Sequence, residues 1–215
     1  MKARYLTLLA ENKFLERVEK LESMLSSCTI CPKLCGNDRL KDEIAACYSG
    51  RLPTVSSYTA HFGEEPCLSG TRGAGNIFFG NCNLRCVYCQ NYQISQTWKE
   101  RRRNEITHER LAEMMLELQD RGCHNIGFVS PTHFAPQMAR AILIAAERGL
   151  TLPIASVTPP NDGPPDPGIR RATAQGELPS AQKDHPKHTP GGRVPWISKS
   201  CRSVTRSSPV QVWRS

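Results

Sequence analysis

The chain is 215 residues long, 39% hydrophobic and 22% charged, which allows one domain with a sizeable core. No apolar run approaches the length of a transmembrane helix, and Glu11 interrupts the short apolar patch near the N-terminus before a signal-peptide core forms, so a cytoplasmic protein with no membrane partner is expected. The formal charge of +8 invites a nucleic-acid partner, but residues 1–158 carry 19 Lys+Arg against 16 Asp+Glu, a net of +3, and residues 159–215 carry 9 against 4, a net of +5; the excess sits largely in the tail, and nucleic acid is not expected.

The first segment, 1–26, reads as an amphipathic helix over 2–26. Leu15, Val18, Leu21 and Leu25 recur at helical spacing with Glu and Lys between them. The next segment, 27–66, is rich in cysteine: "CTICPKLCGNDRLKDEIAAC" places thiols at Cys28, Cys31, Cys35 and Cys47. Pro32 and Gly36 mark turns, which suits a compact ligand loop better than a helix. Four thiols suffice for a closed zinc site or a second cluster, and a set of small buried thiols is the plain alternative.

From Cys67 the text is "CLSGTRGAGNIFFGNC", in which Gly70, Gly73 and Gly75 precede the apolar run 77–79. A flexible loop feeding a buried strand is expected. The phosphate-loop ending Gly-Lys-Ser/Thr is absent. The basic run 99–103 reads as a solvated loop. Thr107 is placed to cap a helix running to about Arg121, with Leu111, Met114, Met115 and Leu118 inward and Gly122 ending it. "NIGFVS", 125–130, reads as a strand. Pro136 suits the first turn of a helix that carries Met138, Ile142 and Leu143 and stops at Gly149. "LPIASV", 152–157, reads as a third strand, and the strand–helix alternation predicts parallel βαβ units.

After Thr158 the pattern collapses. Ten of the sixteen prolines lie there, and the segment 158–215 is expected to be a disordered, basic, Pro-rich tail. Its composition suggests a shifted reading frame or an alternative end rather than an evolved domain.

"GNCNLRCVYCQN" carries Cys82, Cys86 and Cys89 in a C-x3-C-x2-C array. The ten cysteines of the chain belong, in a reducing compartment, to metal or redox sites more often than to a disulfide framework. A closed zinc site or an ordinary iron–sulfur cluster takes four thiolates. Either Cys67, Cys123 or a histidine supplies a fourth ligand, or one coordination position stays open. Three thiolates hold three irons of a cubane and leave the fourth iron free for a small molecule.

With Tyr88 directly before its last cysteine, this loop resembles the signature of the radical S-adenosylmethionine superfamily. "LSGTRGAGNIFFGNCNLRCVYCQNYQISQ", "SPTHFAPQ" and "CTICPKLCGNDR" are similar to the pyruvate formate-lyase activating enzyme-like subgroup. The resemblance covers roughly 28–157. It implies an α/β fold, the N-terminal half of a partial (β/α)6 barrel with about three parallel strands in 67–157. It implies a 4Fe–4S cluster on Cys82, Cys86 and Cys89, and S-adenosylmethionine chelated by the open iron, with the backbone around Tyr88 near the adenine. The activity implied is reductive cleavage of S-adenosylmethionine to a 5′-deoxyadenosyl radical, followed by hydrogen abstraction. The partners implied are an electron donor such as a flavodoxin or ferredoxin, and a glycyl radical enzyme or another protein substrate.

Two departures accompany the resemblance. Where many members carry Gly-Gly-Glu to bind the methionine amino group, this sequence reads Ser130-Pro131-Thr132-His133, with Thr132 and His133 offering an oxygen and an imidazole. Only about three of six strands are present, which would leave 152–157 as an exposed edge and makes an inactive fragment one expectation. A non-catalytic cysteine-rich zinc or iron–sulfur binding protein is the other.

Overall fold

A computed structural model of the chain describes residues 3–97 and 104–157. The basic run 99–103 and the tail from 158 lie outside the described residues. No described helix is long and apolar enough to cross a membrane.

The expected helix over 2–26 is divided. Helix α1 spans Arg4–Ala10 and α2 spans Phe14–Ser23, followed by a 3-10 turn over Met24–Ser27. Asn12, at φ 55°, makes the break; a short polar residue tolerates the left-handed region that a continuing helix excludes. The buried face is Phe14, Val18 and Leu25, while Leu15 is exposed, because α2 starts only at Phe14 and turns a different face inward. Tyr5 holds α1 in place by donating to Leu150 O (3.1 Å) and Leu152 O (2.8 Å). Arg140 grips Glu22 through both carboxylate oxygens, tying α2 to a later helix; bidentate pairs of this kind are among the stronger charge-assisted contacts.

Strand β1, Val55–His61, is absent from the sequence expectation. It pairs antiparallel with β2, Ala74–Phe79, after the one-turn helix α3, Pro66–Ser69. A second one-turn helix, α4, spans Tyr92–Ser95. Then come α5, His108–Asp120; β3, Ile126–Val129; α6, Ala135–Glu147; and β4, Ile154–Val157. The sheet order is β1-β2-β3-β4, with β2, β3 and β4 parallel. The expected parallel unit is therefore present, with one antiparallel strand added beside β2 and β4 at the edge of the described sheet.

The local chemistry explains these boundaries. Thr107 caps α5 by accepting from Arg110 N, and Gly122 (φ 82°) turns the chain out of it. Pro136 sits in the first turn of α6, where its missing N–H costs nothing. β2 is buried along nearly its whole length, as a central parallel strand covered on both faces must be. The core brings Val18 from α2, Ile77 and Phe79 from β2, Leu111, Met115 and Leu118 from α5, Phe128 from β3 and Ala141 and Ile142 from α6 into one cluster. Burying each large side chain contributes roughly 1.5–3 kcal/mol.

Candidate metal centre

Because β2 and β3 run parallel, the segments leaving them emerge at the same edge of the sheet. The cysteine loop leaves β2 at Gly80, and Ser130–His133 leaves β3 beside it. The aromatic rings of Phe79, Phe128 and Phe134 pack at this end. Phe79 and Phe128 stack with centroids 5.6 Å apart, and Phe79 and Phe134 lie 5.3 Å apart.

The loop closes on itself. Asn81 N donates to Ile94 O (3.2 Å), joining its beginning to α4. Cys89 N donates to Cys86 O (3.2 Å), and Gln96 Nε2 reaches the same carbonyl at 2.7 Å. The Cys89 thiol lies 3.3 Å from Ser95 Oγ. Asn81 and Arg85 adopt positive φ, so two strained residues shape the turn. Cys82 is buried, Cys86 and Cys89 are half-buried, and Val87 and Tyr88 project into solvent, 98% and 84% exposed.

The donor set suits an iron–sulfur cluster: three thiols share one short loop, and among the described residues the buried N–H donor Arg85 Nη1 beside them has no hydrogen-bond partner. Unsatisfied groups around a ligand loop are what a bound group would engage. Among the described residues no three His, Cys, Asp or Glu side chains stand in a metal-binding arrangement; the thiols are neighbours without converging on a point. Cys67 lies in α3, before β2, and Cys123 lies before β3 with its side chain 3% exposed. Both are at the opposite edge of the sheet from the loop, so neither is the fourth ligand weighed for zinc. Burial pushes the Cys123 thiol pKa up, which further suits a packed core group.

His133 faces the interior. It is 1% exposed, and its Nε2 lies 3.1 Å from Gly80 O. A carbonyl only accepts, so the ring proton sits on Nε2. Burial, aided by the nearby Arg39 charge, pulls its pKa down to about 3. The imidazole is neutral, its Nε2 tied to Gly80 and its Nδ1 buried without a hydrogen-bond partner among the described residues; Thr132 beside it is half-buried.

The segment around Cys28–Cys47 packs against this same edge. Asn81 Nδ2 donates to Tyr48 O (3.2 Å), Arg85 lies over the Tyr48 ring at 4.9 Å, and the Asn83 side chain hydrogen-bonds the Cys31 thiol. Arg39, 1% exposed, donates to Gly50 O (3.0 Å) and to His133 O (2.5 Å). The sequence reading missed Arg39 and Asn83. Arg39 stands in the charged string "NDRLKDE", where nothing separates it from solvated neighbours, and Asn83 is one of several asparagines.

Residues 76–166 match the family model described as the Radical SAM superfamily. Among curated proteins, the chain is 33% identical over 82 residues to the uncharacterized protein MJ0674 of Methanocaldococcus jannaschii, covering 38% of this chain and 23% of that protein. It is 26% identical over 147 residues to the uncharacterized protein MJ0808 of the same organism, covering 61% of this chain and 43% of that one. The chain thus spans less than half the length of these relatives. No solved structure matches it. The match begins in β2 and takes in the whole cysteine loop and both parallel crossovers, so it is over residues 76–166 that this chain is similar to the Radical SAM superfamily.

Proposed function

We propose that the chain holds a 4Fe–4S cluster on Cys82, Cys86 and Cys89 and uses it to cleave S-adenosylmethionine, in the manner of the pyruvate formate-lyase activating enzyme-like proteins. The observation that carries this reading is the position of the three thiols on one loop at the end of β2, inside the matched domain, with Cys67 and Cys123 at the far edge. When bound, the cluster and S-adenosylmethionine supply one-electron cleavage of the sulfonium and hydrogen abstraction.

The chain's own residues bind, position and shield. Each cysteine gives up its proton to ligate. The Asn81–Ile94 and Gln96–Cys86 hydrogen bonds fix the spacing of the loop. The buried rings of Phe79, Phe128 and Phe134 keep water from the sheet side. His133, held neutral, orients Gly80 and moves no proton. The backbone around Tyr88 is assigned to the adenine. The electron donor is taken to be a cytoplasmic flavodoxin or ferredoxin, and the substrate a glycine Cα–H of a glycyl radical enzyme.

The test is anaerobic reconstitution of the full chain with iron and sulfide. The electron paramagnetic resonance signal of the reduced cluster should change on adding S-adenosylmethionine, and 5′-deoxyadenosine should be released with a strong reductant. Cys82→Ala, Cys86→Ala and Cys89→Ala should each abolish both, and Cys123→Ala neither. Loss of the cluster in Cys123→Ala, or its retention in Cys86→Ala, would defeat the open-iron assignment. The absence of a glycyl radical signal with a candidate partner would defeat the substrate assignment alone.

A further inference from the structure

The four upstream thiols are outside the role just described, and the fold gathers them. Cys28, Cys31, Cys35 and Cys47 line one small cavity together with Arg39 and His133. Cys28, Cys31 and Cys47 are buried, Cys35 is exposed on the outer side, and none is in a disulfide. The backbone knots the first three together: Cys28 N donates to Asn37 O (2.9 Å), Gly36 N to Cys28 O (2.9 Å) and Leu34 N to Cys31 O (3.1 Å). Gly36 takes φ 70° to allow this. Cys47 returns to the same cavity from the far side of the 3-10 turn Arg39–Lys41.

Two observations select the occupant. The cavity holds about 10 Å³, the room of about one water-sized sphere, which a single ion fits with little displacement of its walls. Its wall also contains an uncompensated charge. Among the described residues every hydrogen-bond partner of Arg39 is neutral: two carbonyls and the Cys28 thiol 4.0 Å from Nη1, with Nη2 buried and unpartnered. A buried cation without a counter-charge is costly. Four thiolates around a divalent ion carry a net charge of about −2, and the free guanidinium N–H is placed to donate to a ligating sulfur.

We propose that Cys28, Cys31, Cys35 and Cys47 form a closed tetrathiolate site for one zinc ion, with Arg39 compensating its charge. The thiols line the cavity without standing in ligating geometry, and the same is true of Cys82, Cys86 and Cys89; in both places the ion draws its ligands in. Ligation exchanges four S–H bonds for four S–Zn bonds and releases the protons to water, with no oxidant or reductant required. Through the Asn83 contact with Cys31 and the Arg39 contact with His133, the zinc would brace the cluster loop from beneath. The site is independent of whether the cluster loop generates a radical.

The test uses the full chain with Cys82, Cys86 and Cys89 all replaced by Ala, so that metal counted cannot reside in that loop. After expression with zinc, elemental analysis should find about one zinc per chain, with four sulfurs at about 2.3 Å by X-ray absorption. Replacement by cobalt should give the visible spectrum of a tetrahedral tetrathiolate. Adding Cys28→Ala or Cys47→Ala should remove the metal. The absorption measurement needs none of these last two variants and so stands if they fail to fold. Fewer than four sulfur ligands, iron with acid-labile sulfide in place of zinc, a metal-free disulfide among the four, or zinc retained without Cys28 or Cys47 would each overturn the site.

Discussion

The His133 imidazole and the Gly80 carbonyl, 3.1 Å apart, join the ends of the two parallel strands at the root of the cysteine loop. The bond sits in an interior where neither group meets water. Removing the ring therefore deletes a hydrogen bond, orphans a buried carbonyl and opens a cavity. His133→Ala is expected to cost about 2–4 kcal/mol, read as a lower denaturation midpoint, and to loosen the loop so that reconstituted iron is lost faster to a chelator. His133→Gln, whose amide N–H reaches toward the same carbonyl, should recover part of both losses. If His133→Ala matched the unchanged protein in midpoint and iron retention, the imidazole would be no strut.

Two glycines in the strands are constrained by close approach. A Cβ on Gly75 would stand 2.9 Å from Asn125 O and 3.2 Å from Leu118 Cβ, and a backbone carbonyl cannot swing aside. A Cβ on Gly127 would collide with Asn76 Oδ1, a side chain that can move only by giving up its 2.9 Å bond to Glu64. Gly75→Ala is expected to destabilise by about 2–3 kcal/mol and Gly127→Ala by about 1–2 kcal/mol, within the usual range for overpacking. Thermal or urea unfolding of the pair checks both the sign and the order.

These glycines mark the limit of what the sequence discloses. The α5 boundaries were legible because Thr107 and Gly122 carry their chemistry in their own side chains, and Pro136 announces α6 in the same way. Gly75 looked like part of a loop because the contact that demands it, Asn125 O, comes from a residue fifty positions later. β1 was hidden for a related reason. "VSSYTAH" has few large apolar residues, and it is a strand because β2 offers it an edge. The three cysteines of the loop stood out from their spacing and from the resemblance it carries. Their support did not, since Arg39 and Asn83 gain meaning only when the segment 28–50 folds against the loop.

His108 gives the fold a mild sensitivity to acid. Burial pulls its pKa below the usual value; Glu22 and Glu109 oppose this, and Arg140 and Arg51 reinforce it. The folded chain thus holds the imidazole neutral where the unfolded chain protonates it, below about pH 6.5. The unfolded state then binds the extra proton, so the contribution is complete above about pH 6.5 and declines as pH falls toward the lowered folded pKa. His108→Gln should flatten stability as pH falls below about 6.5, with little effect at pH 8. An equal slope for both proteins over that range would mean that other groups govern it.

Arg39 and the proposed zinc should be energetically coupled. In the metal-free chain the buried guanidinium is satisfied in part by Gly50 O and His133 O, and its charge is unbalanced. Arg39→Met then loses two hydrogen bonds and also removes an uncompensated charge, effects of opposite sign that leave a small net change. With zinc bound, the same substitution leaves the negative tetrathiolate without its cation and without an N–H donor to sulfur. Outer-shell losses of this kind lower metal affinity about 10- to 100-fold, equivalent to about 1.4–2.7 kcal/mol. The measurement is a four-way comparison of unfolding free energies, native and Arg39→Met, each with zinc and after chelation. The penalty of the substitution should be larger with zinc by about that amount. A penalty equal in the two conditions would mean that the guanidinium serves the fold alone.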